Sequence, residues 1–182
     1  MGLRAPNEDG TLPSRDPSSQ TAHASSTSGQ TQGRPTASEL PPAALELASK
    51  LFDLAREGST SALAQYLDAG IPLNLTNSKG DTLLMLAAYH GHVDTTRLLL
   101  EKGADPNVLN DRGQSILAGA VFKGHDEVVR VLFEGVDGRK ADIRLGQPNA
   151  VDSASMFQKE DYLRLFGIMN MPVVELNVLH LV

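Results

Sequence analysis

The chain has 182 residues, a formal net charge of −6 at pH 7 and 41% hydrophobic residues, which suits one soluble domain with tails. The negative charge argues against nonspecific binding to nucleic acid or to an anionic membrane, because both need a basic protein surface. The sequence contains no cysteine, so disulfides, thiol catalysis and cysteine-ligated metal sites are excluded.

The first 40 residues are rich in Ser, Thr, Pro, Gly and Gln and hold almost no large apolar side chains. Such a segment cannot bury enough surface to offset its ordering entropy, so we predict a disordered tail over residues 1–40. It lacks the apolar core of a secretory signal, and no stretch reaches the roughly 18–20 consecutive apolar residues of a membrane span. We therefore expect a cytoplasmic protein, with the nucleus as the alternative location.

The first helical pair is predicted to begin near residue 43. Leu47, Leu51 and Leu54 fall at spacings of four and three, which places them on one apolar stripe of a helix. Gly58 lies 33 residues before Gly91, so this helix is in phase with the pattern that follows it. Its greater length is expected of the terminal unit of a repeat array.

A sequence pattern then recurs at a spacing of 33 residues. Three pairs of identical residues carry it: Gly80 with Gly113, Gly91 with Gly124, and His92 with His125. Self-similarity at a period of 20–50 residues is typical of stacked repeat architectures. Because each repeat contacts its neighbours, such stacks present an extended binding surface rather than one catalytic pocket.

The residues at the ends of these repeats are suited to starting and stopping helices. Thr82 and Ser115 stand where helices begin, and their hydroxyls can accept hydrogen bonds from unpaired backbone N–H groups. Gly91 and Gly124 follow the first helix of each pair, where a left-handed residue ends a helix without steric cost. Gly119 lies inside a predicted helix, where glycine should cost about 1 kcal/mol relative to alanine.

A fourth unit is predicted after residue 145, because residues 154–159 align with residues 87–92 one position late. A four-residue extension through residues 136–139, followed by a connection three residues shorter, accounts for the delay. We predict an all-α solenoid of stacked helix–loop–helix units with short finger turns, covering residues 41–167. Its four units lie at about 43–76, 77–109, 110–145 and 146–167.

Residues 168–182 are apolar and have no place in the repeat. One alternative is a strand or helix that covers the open end of the stack, and a second is an unstructured tail. The third is that the segment is an artefact of how the gene was read. The sequence does not choose among these three.

The layout resembles the ankyrin repeat, which has a 33-residue period and the signature T-P-L-H-x-A. The match is clearest in residues 82–107. The sequence departs from the signature where Leu83 and Ile116 replace proline and where Met85 and Ala118 replace histidine. The resemblance implies a groove bordered by finger turns, and a protein-binding function without catalysis.

No cluster of residues predicts an enzyme, a cofactor or a metal. His90 and His92 are close in sequence, but no cysteine or carboxylate cluster completes a ligand set around them. His92 and His125 recur with the repeat, which favours a structural hydrogen-bonding role. No serine lies in a nucleophile elbow, and no glycine-rich loop matches a nucleotide-binding fingerprint.

Two sets of residues are predicted to contact a partner. In each unit, the two residues before the repeat glycine end the first helix, and the resemblance places them along the groove. For Tyr89 and Phe122 the alternative role is packing between neighbouring units. Aromatic, Met and Arg side chains are enriched at protein–protein hot spots. The groove set is Arg56, Glu57, Tyr89, His90, Phe122, Lys123, Met156 and Phe157. The finger-tip set is Ser78, Lys79, Asp81, Asp111, Arg112 and Gln114.

Our leading hypothesis is a monomeric adaptor that binds one protein partner, and neither nucleic acid nor membrane. The alternative is an escort for a basic client, such as a ribosomal or nucleic-acid-binding protein, which the acidic composition favours weakly. Strong salt sensitivity of binding would distinguish the escort from the adaptor.

Overall fold

A computed structural model describes residues 42–169, and eight α-helices in four consecutive pairs account for the regular structure of this part. The predicted all-α architecture of helix pairs is confirmed. The pairs are α1 (Pro42–Glu57) with α2 (Thr60–Asp68), α3 (Leu83–Tyr89) with α4 (Val93–Lys102), α5 (Ile116–Lys123) with α6 (Asp126–Glu134), and α7 (Ala150–Met156) with α8 (Glu160–Leu165).

The predictions about the two ends of the chain fall almost wholly outside the described residues. The predicted tail over residues 1–40 is not described, and of the apolar segment over residues 168–182 only the first two residues are. The predicted limits of the domain and of its four units stay predictions as well.

Short polar side chains begin the first helix of each later pair. The Thr82 hydroxyl accepts a hydrogen bond from the backbone N–H of Met85 at 3.1 Å, and the Ser115 hydroxyl accepts one from Ala118 at 3.2 Å. Asn149 caps α7 in the same way and forms a reciprocal capping box with Asp152. The predicted caps at the starts of α3 and α5 are therefore present.

The helices are arranged in two layers. The first helices α1, α3, α5 and α7 pack against one another in chain order, and the second helices α2, α4 and α6 form a second row that packs against the first. Small residues permit this close approach, since Ala87, Ala120 and Ala154 are fully buried where first helices meet. Fully buried leucines such as Leu99 and Leu132 fill the space between layers, each stabilising the fold by about 1.5–3 kcal/mol.

The repeated histidines join each unit to the one before it. His92 Nε2 donates to the backbone oxygen of Arg56 at 2.6 Å, and His125 Nε2 donates to that of Tyr89 at 3.0 Å. In the fourth unit Lys159 takes the histidine position, and its Nζ donates to the backbone oxygen of Val121 at 2.9 Å. The hydrogen-bonding role predicted for both histidines is confirmed.

The finger turns are built around asparagine side chains. Asn77 Oδ1 accepts from the backbone N–H groups of Lys79 and Asp81, and Asn110 Oδ1 accepts from the equivalent groups two and four residues later. The two fingers are joined because Asn110 Nδ2 donates to Asp81 Oδ1 at 3.0 Å and the Asp111 N–H donates to the Lys79 carbonyl at 3.1 Å. The fingers are thereby held in register beside the first helices.

The predicted extension at residues 136–139 is a loop rather than additional helix. Helix α6 ends at Glu134, and the backbone then turns back on itself through a bridge between Val136 and Arg139. The added residues therefore lie in the connection to the fourth unit and not in α6.

Candidate functional site

A groove of about 470 Å³ lies between the finger turns and the ends of the first helices α3, α5 and α7. It brings together residues from both predicted contact sets. From the helix set it is lined by Tyr89, His90, Phe122, Met156 and Phe157. From the finger set it is lined by Lys79, Asp81, Arg112 and Gln114.

Exposed apolar side chains are concentrated at this groove. Of the seven large hydrophobic residues exposed in residues 42–169, four line it: Tyr89, Phe122, Met156 and Phe157. Phe122 is 51% exposed and Met156 is 68% exposed, although both are large apolar groups. Contiguous exposed apolar surface on a soluble domain commonly marks an interaction site.

The aromatic side chains are also held by one another. The Phe122 and Phe157 ring centroids lie 5.2 Å apart in an edge-to-face arrangement, which is a favourable geometry for aromatic pairs. Lys123 Nζ lies 5.1 Å from the centroid of the Tyr89 ring, within cation–π range. Tyr89 and Phe122 therefore pack between units and remain open to a ligand at the same time.

The finger side of the groove carries cationic groups without internal partners. Within residues 42–169, neither Lys79 nor Arg112 takes part in an ion pair. Asp81 is the carboxylate that lines the groove, and its two oxygens already accept hydrogen bonds from Asn110 at 3.0 Å and Asn77 at 3.2 Å. Neutral amides leave the charge of Asp81 in place, so the charged side chains lining the groove are two cations, Lys79 and Arg112, against one carboxylate.

Small residues form part of the groove surface, and the sequence patterns did not point to them. Ala118, Gly119 and Ser153 line the groove, as does Pro148 from the loop before α7. Gly119 did have a signal in the sequence, since a glycine inside a short helix weakens it. That signal predicts only a less stable helix. The contribution of Gly119 to the groove follows from the structure, which places it beside the Tyr89 ring.

Five predicted contact residues do not line the groove: Arg56, Glu57, Ser78, Asp111 and Lys123. Arg56 Nη1 pairs with Asp53 at 2.6 Å. Lys123 lies beside the groove, over the Tyr89 ring. The role of both predicted sets in binding a partner stays a proposal.

His90, which lines the groove, has a shifted pKa. Burial lowers the pKa of His90 below its ordinary value of 6.5, and the nearby basic side chains of His92, Arg56, Lys123 and His125 lower it further. The folded protein therefore favours the neutral imidazole, and Lys79 and Arg112 are the cations that line the groove.

Within residues 42–169, no three His, Cys, Asp or Glu side chains come together in a group able to hold a metal ion. No helix in this part of the chain is both long and apolar enough to cross a membrane.

Comparison with known proteins agrees with the repeat structure. A sequence profile described as ankyrin repeats, in three copies, matches residues 51–143, which is just over half of the 182-residue chain. A protein of Pseudomonas aeruginosa described as an ankyrin repeat protein is 60% identical over 53 residues. That alignment covers 29% of this chain and 31% of the Pseudomonas protein. The chain belongs to the ankyrin-repeat family.

Proposed function

We propose that this chain is a non-enzymatic interaction module that binds a protein partner in the groove formed by α3, α5, α7 and the finger turns. Ankyrin repeats generally mediate protein–protein interaction, which supports the class of function. The fold alone does not name a partner, because unrelated functions occur on one architecture. The geometry of the groove therefore supports the site.

The observation that carries the proposal is the clustering of exposed apolar side chains beside free cations. Tyr89, Phe122 and Met156 recur at the same position of successive units and expose large apolar surfaces along one line. Binding energy at protein interfaces is concentrated in a few such anchors, surrounded by a polar rim. Lys79 and Arg112 supply that rim on the finger side.

The alternative function, an escort for a basic client, has less support from the groove. A client rich in Lys and Arg would meet Lys79 and Arg112, and like charges brought together at an interface are unfavourable. Such a client would need a different, acidic surface of this protein. The predictions of a monomer and of a cytoplasmic or nuclear location remain proposals.

The test compares two double variants of the full chain as baits in affinity purification with quantitative mass spectrometry. Tyr89→Ala with Phe122→Ala removes two groove anchors, whereas the control Arg97→Ala with Glu101→Ala truncates two exposed side chains of α4. We expect a partner that the control recovers fully and the groove variant loses by at least about tenfold, equivalent to about 1.4 kcal/mol. Circular dichroism must show native helix content in both variants. Full recovery of the partner by a helical groove variant would overturn the proposal.

A further inference from the structure

The glycine at position 119 is not explained by the needs of the fold. It lies inside α5 (Ile116–Lys123) and has no positive φ. A Cβ built there would meet only Tyr89 Cδ2, at 3.6 Å, which is ordinary van der Waals contact. Alanine would therefore fit and would favour the helix, so the glycine costs stability without serving the backbone. Departures of this kind are expected at functional positions.

The absent side chain opens the groove at its centre. The position of Gly119 corresponds to Leu86 in α3 and to Ser153 in α7, and all three residues line the groove. Leucine at this position in α3 shows that the repeat accommodates a large apolar side chain there. Its replacement by hydrogen in α5 leaves space beside the ring of Tyr89, in the groove that Phe122 also lines. That space is bordered by apolar groups and suits one apolar side chain of a ligand.

The charge around this space is opposite to the charge of the whole chain. The chain has a formal net charge of −6, yet the groove is lined by two cations, Lys79 and Arg112, against one carboxylate, Asp81, and Lys123 adds a positive charge at the edge over Tyr89. None of these three cations forms an ion pair within residues 42–169. Because complementary charge sets partner choice and orientation, the groove favours an acidic ligand and disfavours a basic one.

We propose that the occupant of the groove is an acidic peptide segment of a partner protein, which inserts one large apolar side chain over Gly119. This inference rests on the proposed function and specifies the chemistry of the partner. Carboxylates that flank the apolar residue pair with Lys79 and with the Arg112 guanidinium, which can receive a carboxylate through two parallel hydrogen bonds. Three cations on an acidic chain are few for a phosphate backbone, so a protein segment fits better than a nucleic acid.

The test begins with a random peptide library displayed on phage and selected against the full chain. Gly119→Leu fills the proposed space, while Gly119→Ala is its matched control, which adds only one carbon. Lys79→Glu with Arg112→Glu reverses the charge at two exposed positions, where folding does not depend on the side chains. Selected peptides are then synthesised with a fluorescein label, and their dissociation constants for each variant are measured by fluorescence anisotropy.

We expect the selected peptides to combine Asp or Glu with one aromatic or large aliphatic residue. Gly119→Leu and the charge-reversed variant should each raise the dissociation constant at least about tenfold, while Gly119→Ala should change it less than about threefold. Added salt should weaken binding to the wild type and have less effect on the charge-reversed variant.

Each other outcome overturns a different statement. Basic or neutral peptides that Gly119→Leu blocks would overturn the inference and leave the groove as the binding site. Peptides that bind all groove variants equally, Tyr89→Ala with Phe122→Ala included, would count against the proposed function as well. The acidic-peptide inference would also be overturned if a fluorescein-labelled oligo(dT) strand bound more tightly than the peptides. It would likewise be overturned if the library enriched no peptide on the wild type over the background on Gly119→Leu.

Discussion

Tyr89 shows how one residue serves both the stack and the open groove. Its backbone oxygen accepts the hydrogen bond from His125 of the next unit, and its ring lies under Lys123 and beside Gly119. The ring is nevertheless 39% exposed. A residue held in place by its neighbours loses little conformational freedom on binding, which favours its use as an anchor.

Single residues differ in how well the sequence predicts them. The caps at Thr82 and Ser115 and the inter-unit bonds of His92 and His125 follow from local patterns, because each depends on a fixed spacing within the repeat. The groove contribution of Gly119 depends on the space left by residues far away in sequence. No local pattern contains that information.

At the residue scale, His90 gives the protein a predicted pH dependence. Its pKa is lowered in the folded state, chiefly by burial, so below pH 6.5 the unfolded chain binds a proton that the folded chain resists. The stability that the neutral imidazole contributes is therefore complete above about pH 6.5 and is lost as pH falls below that value.

The measurement is the free energy of unfolding in urea at several pH values, for the wild type and for His90→Gln. We expect the stability of the wild type to fall more steeply than that of the variant as the pH is lowered below about 6.5. Equal slopes for the two proteins would contradict the lowered pKa.

At the scale of helices, most elements are too short to be stable alone. Helices α3 and α5 have 7 and 8 residues, below the roughly 12–15 residues at which isolated helices become marginal in water. They persist because Leu84 and Leu117 are fully buried between neighbouring helices. The 33-residue period predicts this packing well, since each unit repeats the same buried positions.

Helix α5 should gain stability from Gly119→Ala, by about 0.5–1 kcal/mol in the free energy of unfolding. The added Cβ meets nothing closer than 3.6 Å and the backbone is helical, so the substitution carries no steric cost. The matched control is Gly91→Ala. There φ is +83° and the new Cβ would lie 2.8 Å from the His125 ring, so this variant should lose stability.

Urea denaturation followed by circular dichroism measures both variants. A loss of stability in Gly119→Ala would show that the fold does need glycine at this position. Glycine at position 119 would then be explained by the fold and not by the groove.

At the scale of the whole molecule, the proposed function depends on the first helices and the fingers acting as one surface. Bonds between Asn110 and Asp81 and between Asp111 and Lys79 hold adjacent fingers together, and the histidine bonds do the same for adjacent helices. A ligand that spans α3, α5 and α7 therefore meets a surface that is already arranged for it, which reduces the entropy lost on binding.

Family and architecture are well predicted from this sequence, because both follow from a repeated pattern of buried and turn residues. The groove is predicted in part. Its apolar line and its finger cations were identified from the repeat, whereas Arg56, Glu57, Ser78, Asp111 and Lys123 do not line it. The packing of the neighbouring unit decides whether a side chain near a helix end faces the groove. The position of a residue in the repeat does not determine that packing.

Hydrogen–deuterium exchange of the full chain, with and without the partner recovered by affinity purification, tests the central claim most directly. Binding in the groove predicts slower exchange in the finger turns at residues 77–81 and 110–114 and at the C-terminal ends of α3, α5 and α7. Exchange in the second helices α4 and α6 should not change. Protection confined to those second helices, with the finger turns unaffected, would contradict the claim that this protein binds its partner in the groove.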